Sequence, residues 1–167
     1  MQALERLLAY EEIRQLAAHY AAALDARDLD RLVALFVPDV RVGRHGRGRE
    51  ALRASFDQQL RAIGVSFLLV GGHAIDLESA DRASGVVSCK AEIEVSGRWV
   101  HQAIQYHDRY ARHEDRWLFV RRRHLLVYGQ AQRENPLEQP PARWPERHEG
   151  RGTVPWELDS WKRFFEK

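Results

Sequence analysis

The chain predicts one α+β domain in which three N-terminal helices pack on a curved, mainly antiparallel sheet. Two observations carry that prediction. Apolar residues recur at three- and four-residue steps as far as Ile63. From Ser66 onward the period changes, and four segments rich in Val, Ile, Leu and aromatics are separated only by short turns. Connections that short join antiparallel neighbours, because a parallel crossover takes a dozen or more residues.

The first 27 residues read as a long helix, with Ile13, Leu16, Ala17, Tyr20 and Leu24 on its buried face. Asp28 is placed to cap a second, short helix carrying Leu29, Leu32, Leu35 and Phe36, which Pro38-Asp39 ends. Val40 and Val42 suggest a brief strand. A loop of Arg41, Arg44, His45, Arg47 and Arg49 interleaved with Gly43, Gly46 and Gly48 follows, and reads as a solvated charge run. A third helix is expected from about Glu50 to Ile63, with Leu52, Phe56, Leu60 and Ile63 facing inward. Strands are expected at about 66–78, 84–95, 98–112 and 116–130, with turns at Ser79-Ala80-Asp81, Ser96-Gly97 and His113-Glu114-Asp115. This domain spans residues 1–131.

Residues 132–167 differ in composition. Pro136, Pro140, Pro141, Pro145 and Pro155 oppose regular structure, yet Trp144, Trp156, Trp161, Phe164 and Phe165 are large apolar groups. Disordered tails are poor in aromatics, so this arm is expected to dock on its own domain or on a neighbouring subunit.

At 167 residues, with 44% hydrophobic and 30% charged residues, the chain has the composition of a soluble globular domain. No stretch approaches the roughly 20 apolar residues of a membrane span. Met1-Gln2-Ala3-Leu4-Glu5-Arg6 lacks a cationic start followed by an apolar run, so no signal peptide is expected. Cys89 is the only cysteine, which points to a reducing cytoplasm and excludes an internal disulfide or a cysteine zinc cluster. A net charge of +2 gives no reason to expect nucleic acid. The eight histidines form no helical metal pair, and there is no phosphate-binding or dinucleotide fingerprint. No metal and no cofactor are expected.

Several strings then occur in a telling order. Glu12-Ile13-Arg14-Gln15-Leu16 leads to Tyr20, Leu24-Asp25 and Asp28-Leu29-Asp30; Leu35-Phe36-Val37-Pro38-Asp39 follows. Later come Tyr106-His107-Asp108-Arg109-Tyr110 and Asp115-Arg116-Trp117-Leu118-Phe119, with Arg122 beyond. Residues 5–130 thereby resemble the SnoaL-like branch of the NTF2-like superfamily. That resemblance implies a cone-shaped half-barrel around a pocket. The branch includes scytalone dehydratase, bile-acid 7α-dehydratase, lindane dehydrochlorinase, polyketide cyclases and members without known activity. In the eliminating enzymes an aspartate near the end of the first helix orients a histidine on the first long strand, which takes the proton. Asp25 stands at the aspartate's position; Tyr20 and Arg122 match pocket residues. Counting back from Gly85, the histidine's place is taken by Leu68. His73 lies five residues further on and faces away unless a bulge at Gly71-Gly72 turns it back. A pocket arginine is likewise replaced by Leu126.

Strand alternation offers candidates for the pocket. With Arg122 inward, so are His124, Leu126 and Tyr128; with Tyr106 inward, so are Gln102, Ile104 and Asp108. Val87, Cys89, Ala91 and Ile93 form the apolar face between them. Leu68, His73, Cys89, Ala91, Ile104, Tyr106 and Leu126 are the expected substrate contacts. Asp25, Tyr20, His124 and Arg122 are the candidate catalytic groups. Asp25 at the edge of an apolar cavity would have a raised pKa and could act as a base or orient His124, or it could close the helix end or pair with an arginine. Tyr20 could donate to an oxyanion or serve as a core tyrosine. Arg122 could hold an anionic group or neutralise Asp25, and the second is preferred. His124 could shuttle a proton or fill the core.

Two functions remain open on the sequence. One is a cofactor-independent lyase or isomerase of the dehydratase type, acting on a small hydrophobic, aromatic or polycyclic molecule. The other is a non-catalytic binding or assembly protein that uses the same cavity. A homodimer or homotrimer is expected in either case, since apolar sheet surface remains to be covered.

Overall fold

Ile13, Leu16, Ala17, Tyr20 and Leu24 lie along one side of helix α1 (Ala3–Asp25), and all are buried. The computed structural model describes residues 2–44, 46–143, 146 and 149–166. His45, Trp144 and Pro145, read above as loop and arm residues, lie outside the described residues. Helix α1 closes with a reverse turn in which Arg27 N–H donates to Leu24 O and Asp28 N–H to Ala23 O. Those are the two bonds of a Schellman motif, and they place Arg27 in the left-handed region at φ 56°. A non-glycine residue is strained there, but its guanidinium is held by three hydrogen bonds.

Asp28 caps α2 (Leu29–Ala34) by accepting from Arg31 N–H. This helix stops before Leu35, sooner than the proline at 38 requires. The chain from Leu35 to Val37 instead runs along the last strand: Phe119 N–H donates to Leu35 O and Val37 N–H to Phe119 O. Pairing with an open sheet edge outweighs a further helical turn. Arg41–Val42 (β1) and Gly46–Arg47 (β2) form a small antiparallel hairpin, which leads into α3 (Gly48–Arg61).

The main sheet is a four-stranded meander of β3 (Ser66–Leu77), β4 (Arg82–Val95), β5 (Arg98–His113) and β6 (Arg116–Ala131). Three register shifts bend it. They fall between Val70 and His73 on β3, and opposite Ala103/Ile104 and Arg109/Tyr110 on β6. Each inserts an extra residue into one strand, which raises twist and curls the sheet around α1. The concave side buries Leu68, Val87, Cys89, Ala91, Ile104, Tyr106, Tyr110 and Phe119 against the inner faces of the helices.

The described part of the arm lies against its own domain. Helix α4 (Asp159–Phe165) places Trp161 in a small second cluster with Val65 and Trp99, and sends Phe164 into the main core. Ser160 Oγ donates to Ala26 O at 2.7 Å, which fastens the arm to the end of α1. Among the described residues no helix is long and apolar enough to cross a membrane.

Candidate functional site

The curled sheet, α1 and α3 leave a cavity of about 1290 Å³ between them. Tyr20, Leu68, Ala91, Ile104, Tyr106, Arg122 and His124 all line it. The other sequence candidates sit around it in ways that the bulges and the end of α1 determine.

Asp25 ends α1 and is partly buried. Its Oδ1 accepts from Ser66 Oγ and its Oδ2 from the Leu68 backbone N–H, both at 2.8 Å. Loss of hydration pushes its pKa up to about 6, against the opposing pull of those two donors and of Arg27. The residue beside the carboxylate is therefore Leu68, as the count along β3 implied, and its side chain faces the cavity. Among the described residues no histidine nitrogen is hydrogen-bonded to Asp25. Asp25 itself is set behind the wall, while Ser66 and Leu68 form the lining in front of it.

Arg27 and Ser66 belong to this group and were missed in the sequence. Arg27 Nη1 donates to Ser66 Oγ at 2.9 Å and to Leu24 O at 2.8 Å, and Nη2 donates to Gly64 O. Its guanidinium lies 4.8 Å from the ring centre of Trp161. Burial pulls the Arg27 pKa down to about 10, partly offset by the charge of Asp25. An arginine two residues past the helix end carries no periodic signal; only the Schellman turn and the arm's tryptophan reveal it.

Arg122 has a different partner from the one preferred above. Its Nε and Nη2 form a fork on Asp108, at 3.0 and 2.7 Å, and not on Asp25. The two side chains are 5% and 0% exposed. Asp108 and Arg122 are direct cross-strand partners, which explains the choice: the nearest inward carboxylate is on the neighbouring strand. Burial works against the arginine's charge, but the hydrogen bonds and charge of Asp108 outweigh it and hold the guanidinium above its usual range. The same guanidinium lies within 4.4 Å of the ring centres of Tyr20, Tyr106 and Phe119. These rings form a box at the closed end of the cavity, joined by Phe36 and Phe56 through edge contacts with Tyr20. Burial pushes the Tyr20 phenol up to about 12, and that of Tyr106 higher still, so both keep their protons and remain donors.

His73 is turned onto the concave side by the bulge at Gly71-Gly72, for Val70 pairs with Cys89 and His73 with Val87. It does not reach the cavity. Its Nε2 lies 3.0 Å from Tyr110 Oη, and Tyr110 donates to Asp108 Oδ2 at 2.9 Å. Because the Tyr110 proton is committed to Asp108, the imidazole is the donor to Tyr110, and burial lowers the His73 pKa toward that neutral form. His124 stands exposed at the cavity rim, its ring 5.6 Å from that of Tyr106. Cys89 is buried between the strands with its thiol pushed up to about 11 by burial, so it is not a nucleophile. Leu126 shares the inner face with Ile104 but stays exposed beyond the cavity's lining. Tyr128 is not inward: the extra residue Val127 rotates it to the outer face, where it accepts from Lys90.

The chemistry available is thus a poorly hydrated carboxylate behind the wall, two protonated phenols in it, and a neutralised arginine beneath. Among the described residues no group of three His, Cys, Asp or Glu side chains could hold a metal ion.

Among solved structures the chain is similar to hexachlorocyclohexane dehydrochlorinase LinA-type3 from Novosphingobium barchaimii, with 18% identity, 79% of this chain and 95% of that one covered, and a TM-score of 0.72. It is also similar to a scytalone-dehydratase-like protein of Novosphingobium aromaticivorans, with 19% identity, 80% and 94% covered, and a TM-score of 0.68. An NTF2-like protein of the latter organism is 29% identical over 73% of this chain and 84% of its own, with a TM-score of 0.59. These likenesses show the NTF2-like fold. No curated protein matches the chain. Residues 5–123 match the SnoaL-like domain family, and the chain belongs to that family.

Proposed function

We propose that the chain takes up a small hydrophobic molecule with an aromatic or polycyclic body, and binds it without an aspartate–histidine elimination pair. The observation that supports this reading is the cavity of about 1290 Å³, boxed by aromatic rings, with Leu68 and no histidine next to Asp25. Titration with phenylnaphthylamine, an uncharged probe that fluoresces in apolar surroundings, tests it. The wild type should bind the probe, and Ala91→Phe, which fills the cavity, should abolish binding. A wild type that leaves the probe dark sinks the proposal.

A second reading is favoured by one observation, the partly buried Asp25 carboxylate held by Ser66 and the Leu68 N–H, where burial raises its pKa to about 6. Such a carboxylate is ionised at neutral pH yet weakly solvated, which suits a base acting alone. In this reading the chain is a cofactor-independent lyase or isomerase. Asp25 would take a carbon-bound proton through Ser66, whose hydroxyl proton passes to the carboxylate as its oxygen receives the proton from carbon. The electron pair would expel a leaving group or shift a double bond, and Tyr20 and Tyr106 would donate to the developing oxyanion. Turnover of ring-bearing alcohols and halides should then fall by about 100-fold or more in Asp25→Asn. Unchanged turnover removes Asp25 from the reaction.

A homodimer or homotrimer is also proposed, supported by Phe67 and Leu69, 57% and 58% exposed on the outer sheet face. A monomeric mass at micromolar concentration would contradict it.

A further inference from the structure

Arg41, Arg44, Arg47 and Arg121 are exposed residues in the lining of the cavity, and among the described residues Asp39 is the only carboxylate there. Three of these arginines are set directly across from another arginine. Arg41 pairs with Arg47 in the β1–β2 hairpin, and Arg121 with Arg109 across β5 and β6. Like charges directly opposite are unfavourable in a sheet. In each pair one member is relieved: Arg47 lies 3.7 Å from Asp39, and Arg109 lies 2.7 Å from Glu78. Among the described residues Arg41 and Arg121 have no carboxylate partner, and neither has Arg44. Arg121 shares the outer sheet face with Arg109, so of these three only Arg41 and Arg44 can turn their charge toward the cavity. Deeper in, Arg122 is already neutralised by Asp108. The uncompensated positive charge of the lining therefore sits on exposed hairpin residues, while Tyr20, Leu68, Ile104 and Tyr106 of the same lining are buried.

We propose that the ligand of this cavity is an amphipathic anion, with a ring body among Tyr20, Leu68, Ile104 and Tyr106 and a carboxylate, sulfonate or phosphate ester at the exposed part of the lining, facing Arg41 and Arg44. The inference rests on the reading of the cavity as a binding site and adds the charge of what it binds. A low-dielectric cleft rimmed by one sign of charge also concentrates the opposite sign, so capture should be faster at low salt.

The test compares anilinonaphthalenesulfonate with phenylnaphthylamine, which differ by the sulfonate alone. At low ionic strength the anion should bind about fivefold more tightly, the sum of two partly exposed charge contacts. The ratio should fall toward one when Arg41→Gln and Arg44→Gln are combined, and also in 1 M salt, where the screening length is about 3 Å. Ala91→Phe should abolish binding of both probes. Equal affinities in the wild type, or a preference that survives the double substitution, would overturn the proposal and leave the cavity reading standing. A preference for the anion persisting in Ala91→Phe would mean surface adsorption and would also overturn it. Binding of neither probe would overturn both readings. Once the preference holds, ring carboxylates and ring phosphate esters in competition identify which anion the site selects.

Discussion

Replacing Asp25 by Asn should change how stability depends on pH. The carboxyl rises from its ordinary 3.8 to about 6 in the folded chain. At 1.36 kcal/mol per pH unit, the charged form is disfavoured in the native state by about 3 kcal/mol. A group whose folded pKa is raised contributes stability that is complete below its unfolded value and is lost as pH rises through the folded one. For Asp25 that contribution is whole below 3.8, declines between 3.8 and about 6, and is gone above. The wild type should therefore lose about 3 kcal/mol relative to Asp25→Asn as pH rises across that window. The amide creates its own misfit against the Leu68 N–H, but that offset does not vary with pH. Urea unfolding of both proteins across the window, with the carboxyl carbon shift of Asp25 followed by NMR, measures the difference. A difference flat across pH, or a carboxyl titrating at its ordinary value, would refute the argument that burial controls this group.

Three substitutions test the supports of the site. Asp108→Ala should cost about 3–5 kcal/mol in chemical denaturation, because it leaves the Arg122 guanidinium buried without its partner. Adding Arg122→Met should restore much of that loss; no recovery would mean that Asp108 matters chiefly to Tyr110. Trp161→Ala should cost about 3–5 kcal/mol by emptying the small cluster over Arg27, and a loss near zero would show that the arm detaches in solution. Gly85→Ala would place a methyl group 2.7 Å from Ala74 O and 3.1 Å from His73 Nε2. About 1–3 kcal/mol of destabilisation is expected, with a perturbed His73 titration by NMR, and a neutral outcome would contradict the packing described.

Much of the fold was legible because its signals are local. The buried stripe of α1, the Asp28 cap and the three strand turns are each written in a few consecutive residues. The bulges were harder. Alternation puts Tyr128 inward and His73 outward, and a single extra residue at Val127 or at Gly71-Gly72 reverses each. Gly-Gly in a strand is a visible signal for the second; nothing in the sequence around Val127 marks the first. The partner of Arg122 was misjudged because pairing with Asp25 was inferred from the shared cavity. The cross-strand register offers Asp108 at hydrogen-bonding distance and at no cost in reach. Arg41, Arg44 and Arg47 are exposed, as a solvated charge run implies; that they also border the cavity depends on the hairpin register and cannot be seen one residue at a time. Leu68 was placed beside Asp25 by the family resemblance, counted back along the strand from Gly85, and that placement most constrains the chemistry.

The most direct test of the account is a crystal structure of the protein soaked with bromonaphthalene and recorded at the bromine edge. The account predicts one bromine peak inside the cone, within van der Waals distance of Tyr20, Leu68, Ala91 and Ile104. Side chains filling that space, or bromine only on the outer sheet face, would contradict it.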